Sequence, residues 1–348
     1  MSAEDGKSVS LFSNSEEVLS RKAEVTTDDE TSSSLLLSPE EKLDFFEVVE
    51  TADWIKKNSF DRVALQFPDD LMRDSVFVSK ELEKRTSVKP FVLADTSYGS
   101  CCVDEIAAQH ASASCLVHYG DACLSEPPEK LPVRFVFGKT AVDIEDYRSK
   151  LKSLVEQDAE KQRTKICLLY DSSLSHYSEE ICRATRETFG EGVFDCALIA
   201  PADREEKKEE EKCSSSLGRR VPVDMESLED ATVIYVGTGR SPLLPLFLLS
   251  HPNCSRVVQY DTRNRTIASE APTATRQLRR RLFLVEKVKD ANTVGIVCGT
   301  LGVRGHRIAV DRVKQLCQLA HKKAYVFSVG KLNVPKLANF AAEIDIFV

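Results

Sequence analysis

Two stretches decide the fold: Phe91-Val92-Leu93-Ala94-Asp95-Thr96-Ser97-Tyr98-Gly99-Ser100-Cys101-Cys102, and Cys115-Leu116-Val117-His118-Tyr119-Gly120-Asp121-Ala122-Cys123. In each, a short apolar run passes into a glycine-containing turn and ends on a thiol. Unbroken apolar runs of this length, bounded by turn residues, read as strands buried on both faces of a parallel sheet. If the two strands are neighbours, both turns leave from the carboxyl edge, where open α/β sheets bind their ligands. Soft thiolates gathered there favour zinc or an iron–sulfur cluster over hard cations.

Outward from this pair the same grammar repeats. Ser38-Pro39-Glu40-Glu41 is a capping box with proline at the first helical position. It opens a helix expected to run to about residue 58, with Leu43, Phe46, Val49, Ala52 and Ile55 on its buried face. Strands are expected at 63–67, 89–94, 115–118 and 133–137, with helices over 69–84 and 103–111 between them. A helix over 143–162 leads to strands at 166–170, 193–196, 232–236 and 256–260, and a basic helix over 273–289 leads onward. A strand at 294–298, a helix over 306–321, a strand at 324–329, a short helix over 335–340 and a strand at 344–348 follow. Strands alternating with helices mean βαβ units.

The predicted fold is therefore α/β, with three similar parallel-sheet βαβ domains over residues 38–150, 151–290 and 291–348. A disordered, acidic, Ser-rich tail over 1–37 is expected before them, and a mobile insertion over 204–216 inside the second. The sequence ends on Ile344-Asp345-Ile346-Phe347-Val348, apolar strand residues with no turn or polar cap. Last backbone groups inside a buried strand would lack partners, so the third domain is expected to be incomplete.

Composition removes several function classes. Of 348 residues 42% are hydrophobic and 29% charged, enough to build sizeable cores. A net charge of −8 argues against a nucleic-acid binder, whose footprint is a basic face. The basic stretch 276–281 is expected to be the solvated face of a helix. No run reaches about 18 apolar residues, so no membrane span is expected, and no secretory signal opens the chain. Eleven cysteines are too few for a disulfide scaffold of this length and suit a reducing, cytoplasmic setting.

Among those cysteines, Cys115, Cys167, Cys182, Cys196, Cys254, Cys298 and Cys317 lie within or beside apolar patterns and are expected to be inert core thiols. Cys101, Cys102 and Cys123 stand apart because they sit in turns. No Cys-x-x-Cys pair is present, which weakens a zinc knuckle. Single thiols from separate loops instead suit an iron–sulfur cluster held where domains meet, with one iron left open for a chelating substrate. Gly99, Gly120, Gly237-Thr238-Gly239 and Gly299-Thr300-Leu301-Gly302 follow strands, but no dinucleotide or nucleoside triphosphate fingerprint is present. His118 and Tyr119 are read as packed strand-end residues.

Several of these motifs together resemble the diphthamide synthase family. They are Val63-Ala64-Leu65-Gln66-Phe67-Pro68-Asp69, the two cysteine turns, Gly299-Thr300-Leu301-Gly302 and Lys331-Leu332-Asn333-Val334-Pro335-Lys336-Leu337-Ala338-Asn339-Phe340. The resemblance covers residues 39–348. It implies three α/β domains around a central [4Fe–4S] cluster. It also implies cleavage of S-adenosylmethionine to a 3-amino-3-carboxypropyl radical, which is added to a histidine of translation elongation factor 2.

Carried across residue by residue, the resemblance assigns cluster ligation to Cys102 and Cys123, with Cys101 an alternative to Cys102 in the same turn. The catalytic paralogue has a cysteine after a Leu-Gly pair in its second domain. Here Leu217-Gly218-Arg219-Arg220-Val221-Pro222 carries none, and Cys213 lies in the insertion. The family's last ligand follows the strand that begins at Asp345, beyond Val348. What is implied is an accessory, non-catalytic subunit of a heterodimeric transferase, with S-adenosylmethionine bound by its partner, the subunit 1 paralogue. The chain would help keep the partner's cluster reduced, drawing on a reductase or other electron-donor protein. Two alternatives remain open: a cluster-free scaffold for the catalytic subunit, and a self-sufficient homodimer.

Overall fold

Three sheets, two of them wholly parallel and one parallel but for an edge strand, each with helices packed on it, carry the chain. The computed structural model describes residues 37–94, 101–125, 131–157, 165–190, 192–197, 213–222, 231–238, 241, 243–251, 254–270, 276–299, 303–330 and 332–348. The expected acidic tail lies outside them, apart from Leu37.

The first sheet holds β1 (Val63–Gln66), β2 (Phe91–Val92), β3 (Cys115–Tyr119) and β4 (Val133–Val136), all parallel in the order β2-β1-β3-β4. The second holds β5 (Ile166–Tyr170) and β6 (Val193–Asp195), and a separate antiparallel hairpin follows, β7 (Cys213–Ser216) with β8 (Arg219–Pro222). It continues with β9 (Thr232–Gly237), β10 (Arg256–Asp261) and β11 (Thr266–Glu270), giving the order β11-β10-β9-β5-β6. Only β11 runs antiparallel in that sheet. The third holds β12 (Thr293–Cys298), β13 (Lys323–Ser328) and β14 (Ile346–Phe347), parallel, in the order β13-β12-β14.

The repeat is thus visible in the topology. In every sheet the first strand of the unit lies between its second and third neighbours in the chain: β2-β1-β3, β6-β5-β9 and β13-β12-β14. Successive connections leave such a first strand in opposite directions, which opens a crevice at its carboxyl end. Strands β1, β3, β5 and β9 are buried along their whole length. This is why they read as unbroken apolar runs rather than alternating ones. By contrast β13 is exposed over much of its length, with Tyr325 and Val326 facing solvent.

Several boundaries differ from the sequence reading. The capping box forms as expected, with Ser38 Oγ accepting from the Glu41 amide and Glu41 Oε2 accepting from the Ser38 amide. The helix it opens ends at Phe45, however, and a second runs over Val48–Lys57. Glu47 takes a left-handed conformation between them, with φ 44°. The break lets adjacent Phe45 and Phe46 both enter the core; Ala52 and Ile55 are buried as expected, but Val48 takes the place expected for Val49, which is exposed. The next helix starts later than expected, at Ser75, after a 3₁₀ turn whose buried Asp74 pairs with Lys42 Nζ at 2.6 Å.

Of the expected insertion, residues 204–212 lie outside the described residues, and 213–216 form β7, paired with β8. Strand β11 went unread because Thr266-Ile267-Ala268-Ser269-Glu270 is half polar. The hairpin before it is set by Asp261, whose Oδ1 accepts from the Arg263 and Asn264 amides. At the other end of the chain Val348 is not unpaired, since its N–H donates to Gly295 O and its carbonyl accepts from the Val297 amide. No helix among the described residues is long and apolar enough to cross a membrane.

Candidate metal centre

Strand β1 ends on Gln66 and β3 on Tyr119, and the crevice of the first sheet lies where these two strands part. Gly120 continues from β3 with φ +81°, and an ideal Cβ there would stand 2.9 Å from Pro68 Cγ in the loop after β1. Glycine alone allows this approach without strain. Beneath it Phe67 stacks on Tyr119 at 4.3 Å between ring centroids, which fixes the floor on which the turns rest.

Into this crevice the structure brings all three turn cysteines. Cys102 Sγ lies 3.8 Å from Cys123 Sγ and 4.0 Å from Cys101 Sγ, and the three sulfurs all lie within 4.8 Å of one another. Cys101 is exposed, while Cys102 and Cys123 are partly buried. Adjacent side chains could have pointed apart; here Cys101 and Cys102 face the same point. The turns are also joined through the main chain, the Cys123 amide donating to Cys101 O at 3.0 Å. Among the described residues this is the group of metal-ligating side chains close enough to share one ion.

Gln66 anchors the first turn, and sequence reasoning missed it. Buried at the end of β1, its Nε2 donates to Cys102 O at 2.8 Å and its Oε1 accepts from the Asp104 amide at 2.9 Å. Asp104 in turn caps the helix Glu105–His110 by accepting from the Ala107 amide. The signal was present: a lone amide side chain in an otherwise apolar strand must find partners.

Across the crevice the second unit contributes two further polar residues that the sequence did not flag, and the Cys123 turn of the first unit adds a third. Asp171, just past β5, accepts from Tyr235 Oη at 2.5 Å and from the Thr238 amide at 2.8 Å. Arg219 is buried at the start of β8, and its Nη2 donates to Ser172 Oγ at 3.3 Å. Asp121, in the Cys123 turn, has its carboxyl raised by burial and by the charges of Asp171 and Asp70, while Arg219 opposes the rise.

The thiols share protons unequally. Hydrogen bonds from Cys101 and Cys102 hold Cys123 well below the ordinary thiol range. Hydrogen bonding with Cys101 and then Cys123, helped by burial, pushes Cys102 far above it. For Cys101 the contact with Cys102 pulls down, but Cys123 and burial outweigh it and the thiol is raised. Of the three, Cys123 is therefore the thiol that gives up its proton most readily.

An all-sulfur donor set on two loops, gathered within ligating distance and open on the Cys101 side, fits an iron–sulfur cluster or another thiophilic metal and suits no hard cation. Of the cysteines expected to be inert, Cys115, Cys167, Cys182, Cys196, Cys254 and Cys317 are buried, and Cys298 is partly so. His118 is packed against Phe135, as a strand-end residue should be. Arg279, Arg280 and Arg281 are exposed on the helix Arg276–Asp290.

The pattern of the diphthamide synthesis protein family matches residues 67–348. Three similar curated proteins carry the name 2-(3-amino-3-carboxypropyl)histidine synthase subunit 2. That of Caenorhabditis elegans is 44% identical, covering 87% of this chain and 64% of the relative. The Danio rerio protein is 36% identical over 97% of this chain and 66% of its own length. The Homo sapiens protein is 34% identical over 96% and 69%. This chain thus spans about two thirds of the length of the relatives it matches. Among solved structures, Dph2 from Pyrococcus horikoshii superposes with a TM-score of 0.60 at 18% identity, covering 84% of this chain and 80% of that one. A second structure of that protein, with a 4Fe-4S cluster, gives 0.59. At that identity the likeness speaks for the fold.

Proposed function

The chain belongs to the diphthamide synthesis protein family, and from that premise we propose that it is the accessory iron–sulfur subunit of the 3-amino-3-carboxypropyl transferase. In this reading Cys102 and Cys123, with Cys101 beside them, anchor a [4Fe–4S] cluster. The partner is the subunit 1 paralogue, which binds S-adenosylmethionine. The protein substrate is translation elongation factor 2, modified on a histidine, and a reductase supplies electrons. The setting is the cytosol, in keeping with ten described cysteines that are all free thiols.

The observation that carries the reading is the convergence of three sulfurs within 4.8 Å at the first crevice. The relatives' names supply the reaction class, and the structural neighbour from Pyrococcus horikoshii has been solved with a 4Fe-4S cluster. When bound, such a group supplies one-electron transfer. The chain's own residues would orient and shield it. Gln66 holds the Cys102 main chain, Gly120 allows the Cys123 turn to close on the loop after β1, and the Phe67–Tyr119 stack excludes water from below. Across the crevice Asp171 is committed to Tyr235 and Thr238.

The test is reconstitution. Anaerobic chain is mixed with the subunit 1 paralogue, elongation factor 2 and S-adenosylmethionine labelled in the transferred group, with an enzymatic reductant kept limiting. Wild-type chain should support label transfer. Cys102→Ser and Cys123→Ser should lose that support while still binding the partner. Full support from both variants would favour a scaffold role. Label transfer by this chain without its partner would favour a self-sufficient enzyme.

A further inference from the structure

Arg219 is the largest fully buried side chain among the described residues, 1% exposed, and it belongs to the second unit. A buried guanidinium is costly to desolvate and is retained only where several partners hold it. Here Nη2 donates to Ser172 Oγ, and the planar group lies 5.3 Å from the centre of the Tyr170 ring. Both partners sit at the carboxyl edge of β5. The next residue is tied as well, since the Arg220 amide donates to Ala197 O beyond β6. The β7–β8 hairpin is thus pinned onto the rim of the second sheet at its first two β8 residues.

What the hairpin presents from that rim is Gly218, with φ +68°. An ideal Cβ there would stand 2.5 Å from both Cβ and Cδ1 of Leu124. Leu124 follows Cys123 directly, is 3% exposed and itself has φ 53°. One unit therefore presses its backbone against the side chain next to the other unit's thiol. Within its own unit Cys123 is tied to the first turn through its amide, which donates to Cys101 O, whereas Gln66 holds Cys102 directly.

We propose that Arg219 is a positioning residue for the thiol site: by locking the β7–β8 hairpin it seats Gly218 on Leu124 and so holds Cys123 within reach of Cys102. The inference rests on the triad being the metal site. It assigns to a buried charge the task of making that site depend on both units being docked. The Nη1 nitrogen of Arg219 has no hydrogen-bond partner among the described residues, so the guanidinium keeps donor capacity beyond the contact with Ser172.

The test uses the whole metal-free chain under argon with Co²⁺ as probe, because its thiolate charge-transfer band reports how many sulfurs bind. Wild-type chain should show a three-thiolate band. Arg219→Met should weaken Co²⁺ binding at least tenfold, about 1.4 kcal/mol, and reduce the band per cobalt to that of Cys123→Ser. Arg219→Lys should recover part of both. Gly218→Ala keeps the guanidinium but pushes on Leu124 and should give the same two-thiolate band, which decides the matter if Arg219→Met fails to fold. Wild-type bands in both Arg219→Met and Gly218→Ala, with the band reduced in Cys102→Ser, would overturn the role of Arg219 alone. A wild-type band in Cys102→Ser would overturn the thiol site and this inference with it.

Discussion

Gln66 and Cys102 are joined by a 2.8 Å hydrogen bond from Nε2 to the cysteine carbonyl, and Gln66 Oε1 accepts from the Asp104 amide in the same turn. A side chain of β1 therefore holds the main chain on both sides of Val103, and with it the direction of the Cys102 sulfur. Gln66→Leu fills the same space but leaves the Cys102 carbonyl and the Asp104 N–H unpaired. The expected cost is about 1–3 kcal/mol for each group that stays dry. Metal uptake by the triad should fall with it. Chemical denaturation and Co²⁺ titration of the variant check this, and unchanged values in both would show the turn to be held elsewhere.

Gly120 makes a second prediction about the same crevice. Its φ of +81° and the 2.9 Å approach of Pro68 Cγ leave no room for a methyl group. Gly120→Ala should destabilise the first unit by about 1–3 kcal/mol. The loop after β1 should separate from the Cys123 turn, read as faster amide exchange at Cys123.

Proton release on metal uptake follows from the unequal thiols. Cys101 and Cys102 are held above the ordinary thiol range and Cys123 below it, so ligation by all three as thiolates must expel protons from the raised pair. Affinity should therefore rise with pH through the neutral range. Unbuffered titration with indicator dye measures the release. A value near zero would mean that the thiols are not the donors.

A third-unit contact gives a pH-dependent stability. Asp345 Oδ2 accepts from the Asn292 and Thr293 amides, both at 2.8 Å, and these bonds hold its carboxyl below the usual range. A depressed folded-state value means that the contribution is present above the unfolded value, about pH 4, and is lost as pH falls through the folded one. Asp345→Asn should therefore exchange its β12 amides faster than wild type at pH 7. The difference should close below about pH 4. A gap that persists in acid would show that the two bonds do not depend on charge.

Much of the fold was legible because the buried strands are continuous apolar runs: β3, β5, β9 and β12 could be read directly. The polar strand β11 and the β7–β8 hairpin could not, since neither carries an apolar run and each is defined by pairing. The helix break at Glu47 was hidden because Phe45 and Phe46 satisfy either helical face, and only packing selects both. At the site, the thiols were legible by residue type and turn. Gln66 and Arg219 were not, because a polar residue's burial depends on partners distant in the chain, Asp104 in one case and Ser172 in the other.

The central claim, that Cys102 and Cys123 hold an iron–sulfur group, is tested most directly by iron and acid-labile sulfide analysis. The chain would be assembled and purified without oxygen, as wild type and as Cys102→Ser and Cys123→Ser. Wild type should carry iron and sulfide in equal amounts, and each variant should lose most of both. Unchanged iron and sulfide in both variants would contradict the account.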